Sequence, residues 1–189
     1  MCIRDSAYLI QTRINGSGAK VYGGTLEGKV AYKDKVQLQA GLTLQRSIYD
    51  SPEEWSADEE HLSEKERYSD KILRTPDVYG YFTATYMPVK AFSIALNGNY
   101  TGRMYVPHLL SEVNGEADVL VKSPDFFELG TKIAYDFDFQ GFCLQINAGV
   151  QNIFNSYQKD FDKGASRDSG YIYGPGAPRS YFAGVKLSF

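Results

Sequence analysis

The sequence predicts an all-β fold: an antiparallel up-and-down meander of about seven or eight long strands, of the kind that forms a transmembrane β-barrel. Three observations predict it. Apolar and polar residues alternate with a period of two over long segments. The links between these segments are alternately short and long, so that all short links fall at one end of the sheet. On strands 90–106, 125–139 and 181–189 the charged residues keep to one face, which leaves the other face suited to lipid.

The composition agrees with this fold. The chain has 189 residues, with 20 Lys and Arg against 23 Asp and Glu, so it is one domain or part of a larger one. The net charge of −3 argues against a nucleic-acid partner, which would require a basic face. The 43% of hydrophobic residues argues against disorder, and the 15 Tyr and 11 Phe favour strands.

The strands follow from the alternation, taken in order along the chain. The predicted strands are 20–32, 36–45, 77–87, 90–106, 125–139, 142–151 and 181–189. They exceed the usual length of strands in globular sheets. The predicted tight turns are 33–34, 88–89 and 138–141, and the predicted long loops are 51–75, 107–123 and 153–177. Bacterial outer-membrane barrels have this asymmetry, with short periplasmic turns and longer extracellular loops.

The two faces of the strands differ in chemistry. One face of strand 90–106 is apolar and includes Phe92, Ile94, Leu96, Tyr100, Met104 and Val106. Aromatic residues near strand ends are expected to form interfacial girdles: Tyr22, Tyr32, Tyr86, Phe92, Phe139, Phe142, Tyr181 and Phe189. The opposite face should line the lumen, where it hydrates a channel or holds an internal domain, through Gln37, Gln39, Gln45, Asn97, Asn99, Arg103, Lys132, Gln145, Asn147 and Gln151.

Three segments resemble a known family. Val150-Gln151-Asn152-Ile153-Phe154-Asn155 resembles the V-x-N-[IL]-F-[ND] element of TonB-dependent outer-membrane receptors, before their last extracellular loop. The run from Tyr173 to Val185, with Pro178-Arg179-x-Tyr181-x-x-Gly184, resembles their last strand. Arg74-Thr75-Pro76 and Asn99-Tyr100-Thr101-Gly102 resemble the paired strands just before. The pattern is most similar to receptors for ferric siderophores, haem or cobalamin in Bacteroidetes-like bacteria.

The resemblance implies a C-terminal fragment. Receptors of this type close about 22 strands around a plug, whereas this sequence offers seven. We expect residues 1–6 to be a non-native leader and 7–189 to be a partial barrel without its plug. Residues 7–14 either form an eighth strand or extend the first one.

The resemblance also implies partners: outer-membrane lipid, the receptor's own plug, TonB, and a ferric siderophore, haem or cobalamin ligand. The last strand suggests one more, the barrel-assembly machinery. Its alternate apolar residues and terminal aromatic form an amphipathic edge able to add to another sheet. These proposed assembly-signal residues are Tyr181, Val185, Leu187 and Phe189. The alternative is that these residues only reflect the alternation of any amphipathic last strand and are not an assembly signal.

Other chemical signals favour structural roles. The acidic segment from Asp50 to Asp70 is expected to be a solvated loop, with a short helix between Pro52 and Ser69, rather than a cation site. His61 and His108 are candidate haem or metal ligands but fit surface positions better. Cys143 should point to the lumen side as a small side chain. Asp136 and Asp138 should form part of a hydrophilic rim beside a turn rather than a functional carboxylate pair.

No catalytic motif is present in the sequence, so we expect no enzyme activity and no cofactor. The expected function is outer-membrane uptake of a large, scarce solute. Two alternatives stay open: a self-standing barrel of eight strands, acting as an adhesin or pore, and a soluble β-sandwich binding module.

Overall fold

The computed structural model describes residues 16–165 and 167–189. The expectations for residues 1–6 and 7–14 lie outside this range. The strands are β1 (Ala19–Tyr32), β2 (Val36–Glu54), β3 (Tyr68–Lys71), β4 (Val78–Val89), β5 (Phe92–Thr101), β6 (Tyr105–His108), β7 (Val119–Lys122), β8 (Phe126–Phe139), β9 (Phe142–Gln151) and β10 (Ser180–Ser188). One short helix, α1, spans Ser111–Asn114. No helix in the described part of the chain is long and apolar enough to cross a bilayer.

Seven long strands form one antiparallel meander in the order β1-β2-β4-β5-β8-β9-β10. Each strand pairs with the next long strand along the chain, as the alternation predicts. The short β3 adds to the far end of β2, and β6 and β7 form a separate two-stranded sheet. Within the described residues the meander is open, with β1 and β10 at its two edges. The predicted fold class is therefore confirmed.

Tight turns and long loops are sorted to opposite ends of the sheet, as expected. The turns are 33–35, 90–91 and 140–141, and the long connections are 55–77, 102–125 and 152–179. Gly141 adopts a φ of 98°, which a side chain would resist. The predicted turn at Pro88–Val89 is wrong. Val89 still pairs with Phe92, and a register shift between Tyr86 and Val89 accommodates the proline, which has no N–H to donate.

The prediction of one strand over 90–106 is also wrong. The strand ends at Thr101, and the Gly102 N–H donates to the Val78 carbonyl at 2.8 Å before the chain turns away. A Cβ at Gly102 would lie 2.6 Å from that carbonyl oxygen, so only glycine makes this exit without strain. Residues 105–108 form β6 instead. Met104 and Val106 therefore leave the apolar face of the meander.

The core lies in the long connections rather than in the sheet. Val106 is fully buried and packs with Phe126, Tyr171 and Tyr173. Met104 and Val121 pack against this cluster. Phe126 is the first residue of β8. It lies on the polar face of the sheet, because successive residues of a strand alternate between faces and Phe127 belongs to the apolar row. The long connections thus fold together over one end of the polar face.

The apolar row extends across all seven strands without a break. Directly paired residues share a face, and the register joins Leu26 to Leu42, Ile94 to Ile133, and Ile146 to Val185. These side chains are exposed, for example Leu26 at 79% and Ile133 at 47%. No second sheet covers this face within the described residues, so a β-sandwich is not the fold.

Candidate functional site

The site has two parts: the exposed apolar face, and the end of the sheet where the long connections meet. Aromatic residues flank the apolar face at both ends, as predicted. At the tight-turn end, Phe139 stacks on Phe142 at 4.8 Å between ring centroids, and Phe142 contacts Phe189 at 6.4 Å. At the other end, Phe127 packs between Phe82 and Phe154 at 6.5 and 6.0 Å.

The height of the apolar face fits a bilayer. Tyr22 and Tyr32 are ten positions apart on β1, and both lie on the apolar row. At about 3.3 Å per residue and the tilt usual for barrel strands, this spacing is about 25 Å, the height of the lipid-facing band in such barrels. Between these two tyrosines, the face of β1 carries no charged residue.

The polar face holds the predicted lumen residues in hydrogen-bonded chains. Gln39 Nε2 donates to the Tyr81 hydroxyl at 3.2 Å, and that hydroxyl donates to Glu27 Oε1 at 3.2 Å. Gln145 Nε2 donates to Asp136 Oδ1 at 2.7 Å. Gln37, Asn97, Asn99, Lys132, Asn147 and Gln151 occupy the same face by register, as does Cys143. Arg103 does not: it lies after β5 and faces Asp125 at 3.7 Å.

The Asn152–Asn155 segment fixes the start of the last long connection. Asn152 is buried with a φ of 49°, and its amide donates to the carbonyls of Ser156 and Ala177, each at 2.9 Å. Its Oδ1 accepts from the Ser156 N–H. Asn155 Oδ1 accepts from the Arg179 N–H at 2.9 Å. The two asparagines thereby join both ends of the connection, which gives the V-x-N-[IL]-F-[ND] element a structural role.

The last connection is held together by two tyrosines and a carboxylate. The hydroxyls of Tyr171 and Tyr173 donate to Asp160 at 2.9 and 2.6 Å. Burial and the Asp160 carboxylate raise the pKa of Tyr171 to about 12 and that of Tyr173 further. Gln158 forms hydrogen bonds with the backbone of both tyrosines. Its Nε2 donates to the Tyr171 carbonyl, and its Oε1 accepts from the Tyr173 N–H. Both phenols therefore stay protonated at neutral pH and act as donors.

Arg74 and His108 tie this connection to its neighbours. The Arg74 guanidinium donates to the carbonyls of Ile172 and Gly170 at 2.7 and 2.5 Å. His108 Nε2 lies 2.8 Å from Asp162 Oδ2, and this bond lowers the pKa of Asp162. In the sequence, Arg74 stood out only as part of the Arg74-Thr75-Pro76 segment, which carried the family resemblance. No sequence signal marked Asp160 or Asp162.

The acidic segment is not simply a solvated loop. β2 continues to Glu54, the expected helix between Pro52 and Ser69 does not form, and Asp58 is buried. Asp58 accepts from the Asp118 N–H at 3.1 Å and from His61 Nδ1 at 2.9 Å. Asp118, also buried, accepts from the Ser56 hydroxyl at 2.6 Å. We call Ser56, Asp58, His61 and Asp118 the carboxylate clamp. It joins the connection after β2 to the one after β6.

Ligand roles for the histidines, the less favoured alternative from the sequence, find no geometric support. His61 and His108 each bond an aspartate and belong to different clusters. Within residues 16–165 and 167–189, no three His, Cys, Asp or Glu side chains come together as metal ligands would. Tyr181, Val185 and Leu187 lie on β10, exposed on the apolar row, and Phe189 is 99% exposed just beyond it.

Several clefts open among the long connections, and two of them contain aromatic side chains of the last connection. The first, of about 620 Å³, lies along the last connection and includes Tyr157, Phe161, Lys163, Arg167 and Ile172. Lys163 Nζ lies 5.2 Å from the centroid of the Phe161 ring. The second, of about 590 Å³, includes the exposed Phe154. The first cleft combines apolar and aromatic surface with two cations, Lys163 and Arg167, and two carboxylates, Asp162 and Asp168.

The fold defines a class: an antiparallel meander of seven long strands, of the kind found in the walls of β-barrels. Among solved structures, the chain is similar to the ferric-catecholate import receptor Fiu from K12 E. coli in its closed form, with a TM-score of 0.59 and 20% sequence identity. The match covers 89% of this chain but 21% of the receptor, so the chain spans about a fifth of that protein's length. No protein-family model matches the sequence, and no curated protein matches it.

Proposed function

We propose that this chain is part of the barrel of an outer-membrane, TonB-dependent receptor that imports a large, scarce solute. One observation carries the proposal: an uninterrupted apolar face across seven paired strands, exposed and flanked by aromatic residues at both ends. Such a face is costly in water and stable in hydrocarbon, and backbone groups in hydrocarbon must pair within the sheet. Likeness to an import receptor barrel supports the same function.

In the intact receptor the polar face would contact a plug, and TonB would act on that plug. The open edges β1 and β10 support a barrel with more strands than the described residues supply. The proposed domain arrangement is a partial barrel over residues 7–189, with the plug elsewhere in the receptor. The barrel-assembly machinery would recognise β10 through Tyr181, Val185, Leu187 and Phe189.

The proposed solute is a ferric siderophore, with haem or cobalamin as the alternatives. The likeness to a ferric-catecholate import receptor supports the siderophore, and Tyr157 and Phe161 in the cleft along the last connection offer a surface for aromatic groups. Catecholate groups are aromatic rings, so these side chains complement them by stacking.

Gene disruption in the host tests the function. Growth should be lost when iron is supplied only as the transported siderophore, and should be retained when iron is supplied as a soluble salt in excess. Growth loss limited to haem or to cobalamin would reassign the solute within the same function. Unchanged growth on all three solutes would contradict the uptake function.

The self-standing barrel remains the second candidate, because residues 7–14 lie outside the described range. Gel mobility of the refolded chain in detergent separates the two. A closed small barrel migrates differently before and after heating, whereas an open sheet shows no heat-dependent shift. A reading frame that continues upstream and encodes more strands and a plug would favour the receptor.

A further inference from the structure

Asn114 and Gly115 form an asparagine–glycine pair at the end of α1, in the connection between β6 and β7. Both residues are exposed. In such a pair the backbone nitrogen of the glycine can attack the side-chain amide carbon of the asparagine, because glycine has no Cβ to obstruct the approach. The pair is therefore a candidate for spontaneous chemical modification.

The local structure around Asn114 opens easily. The helix α1 is a single turn, Ser111–Asn114, and fully buries none of its residues. Its N-cap residue, Leu110, provides no side-chain hydrogen bond. Because so short a helix depends on packing for its stability, α1 is weakly held. The backbone at Asn114 can therefore reach the conformation that the attack requires at a small cost in free energy.

The pair Asn97-Gly98 has the same chemistry in a different environment. It lies within β5, which pairs with β4 on one side and with β8 on the other. Gly98 is buried, and a Cβ there would clash with the Phe82 ring. Moving this backbone requires separation of strands at the centre of the sheet, which costs far more than opening one helical turn. A third pair, Asn15-Gly16, begins outside the described residues.

The helix α1 is also tied to the carboxylate clamp. The Ser111 N–H donates to Asp118 Oδ1 at 2.8 Å, and Asp118 is buried. The Glu116 N–H donates to Asn114 Oδ1 at 3.1 Å. Residues 111–118 thus form a loop that the Asp118 carboxylate closes, with Asn114 in its middle. A change in the backbone at Asn114 therefore acts on the bond that closes this loop.

We propose that Asn114 is a site of spontaneous deamidation, and that this modification loosens the carboxylate clamp as the protein ages. The Gly115 nitrogen forms a bond to Asn114 Cγ, and the side-chain NH2 group leaves as ammonia with the proton of that nitrogen. Water opens the resulting cyclic imide at either carbonyl, which gives aspartate or isoaspartate. Isoaspartate carries the main chain through the former side chain and so inserts one methylene group into the 111–118 loop. This inference does not depend on the proposed function.

Tryptic peptide mapping tests the site after the full chain is incubated in detergent micelles in which the amides of β5 are protected from exchange. Conversion in peptide 104–122, which contains Asn114, should be at least about tenfold faster than in peptide 91–103, which contains Asn97. In guanidinium chloride both pairs are exposed and should convert at similar rates. Asn114→Gln should abolish conversion in the first peptide, whereas the matched control Asn97→Gln should leave it unchanged.

Hydrogen exchange measures the loosening of the clamp. In the converted chain the Ser111 amide should exchange about tenfold faster, because its bond to Asp118 is weakened. Asn114→Gln, incubated in the same way, should keep the slow exchange. Equal conversion at Asn97 and Asn114 in the folded chain would overturn the modification site. Unchanged exchange at Ser111 in a fully converted chain would overturn the effect on the clamp.

Discussion

The imidazole of His108 stacks on the ring of Tyr171, with centroids 3.8 Å apart and planes within 6° of parallel. The two residues are 63 positions apart in the sequence, and His108 also bonds Asp162. One side chain on β6 thus holds the last long connection by a stacked face and by a hydrogen bond. This contact joins the two connections that surround the buried core.

Removing that contact should loosen the last connection. In His108→Ala both the stack and the bond are lost, so amide hydrogen exchange between residues 160 and 173 should accelerate about tenfold. His108→Phe keeps a stacking ring and should show a smaller increase. If exchange in this segment is the same in all three proteins, His108 does not hold the connection.

A methyl group at Gly174 should be destabilising. Gly174 has a φ of 79°, and a Cβ there would lie 2.6 Å from the Phe126 ring. Gly174→Ala should therefore cost about 1–3 kcal/mol of stability, from backbone strain and displaced packing. Gly176→Ala is the matched control, because no atom lies within 4 Å of its Cβ position. Urea unfolding measures both, and an equal effect of the two changes would contradict the packing described here.

The carboxylate clamp should be stable only in a window of pH. The hydrogen bond to Asp58 raises the pKa of His61, so its contribution is complete below about pH 6.5 and is lost as the pH rises through the folded pKa. Burial opposes ionisation of Asp58 and Asp118, but their hydrogen bonds outweigh it and lower both pKa values. Their contribution is present above about pH 4 and is lost as the pH falls through the folded values.

NMR titration of the His61 imidazole measures this coupling. In Asp58→Asn the pKa of His61 should fall towards about 6.5, the value for a free histidine. Asp162→Asn, which removes a carboxylate beside His108 instead, serves as the control and should leave His61 unchanged. An unaltered His61 titration in Asp58→Asn would contradict the clamp.

Charge on the apolar face should be costly in a bilayer. Leu96 lies midway between Phe92 and Tyr100 on β5, so Leu96→Lys places an ammonium near the bilayer centre. The expected cost is about 2–4 kcal/mol. Asn97→Lys, one residue further on the polar face, should cost much less. Urea unfolding of the chain in vesicles compares them, and similar midpoints would argue against lipid contact.

The long strands were predictable because their alternation is local and continuous. The faces of the long strands, from Leu26 on β1 to Val185 on β10, follow from a period of two and from the short turns that join neighbouring strands. The same rule failed at Met104 and Val106. Their alternation continues that of β5, but Gly102 redirects the chain, and a single glycine inside a strand pattern does not reveal this exit.

The loop core was not predictable from the sequence. Its contacts join residues far apart in the chain, such as Arg74 with Gly170 and Asp58 with Asp118. Neither pair has a characteristic spacing, since loop closure depends on the whole arrangement of connections. The sequence favoured a surface position for His108 over a ligand role, but it gave no sign of the stack on Tyr171.

Spin labelling along β5 tests most directly whether hydrocarbon covers the apolar face. Single cysteines at positions 93 to 97, in a background with Cys2 and Cys143 replaced by serine, are labelled and inserted into vesicles. We predict high accessibility to oxygen at 94 and 96 and high accessibility to a water-soluble nickel reagent at 93, 95 and 97. Equal access of the nickel reagent at all five positions would contradict the membrane assignment.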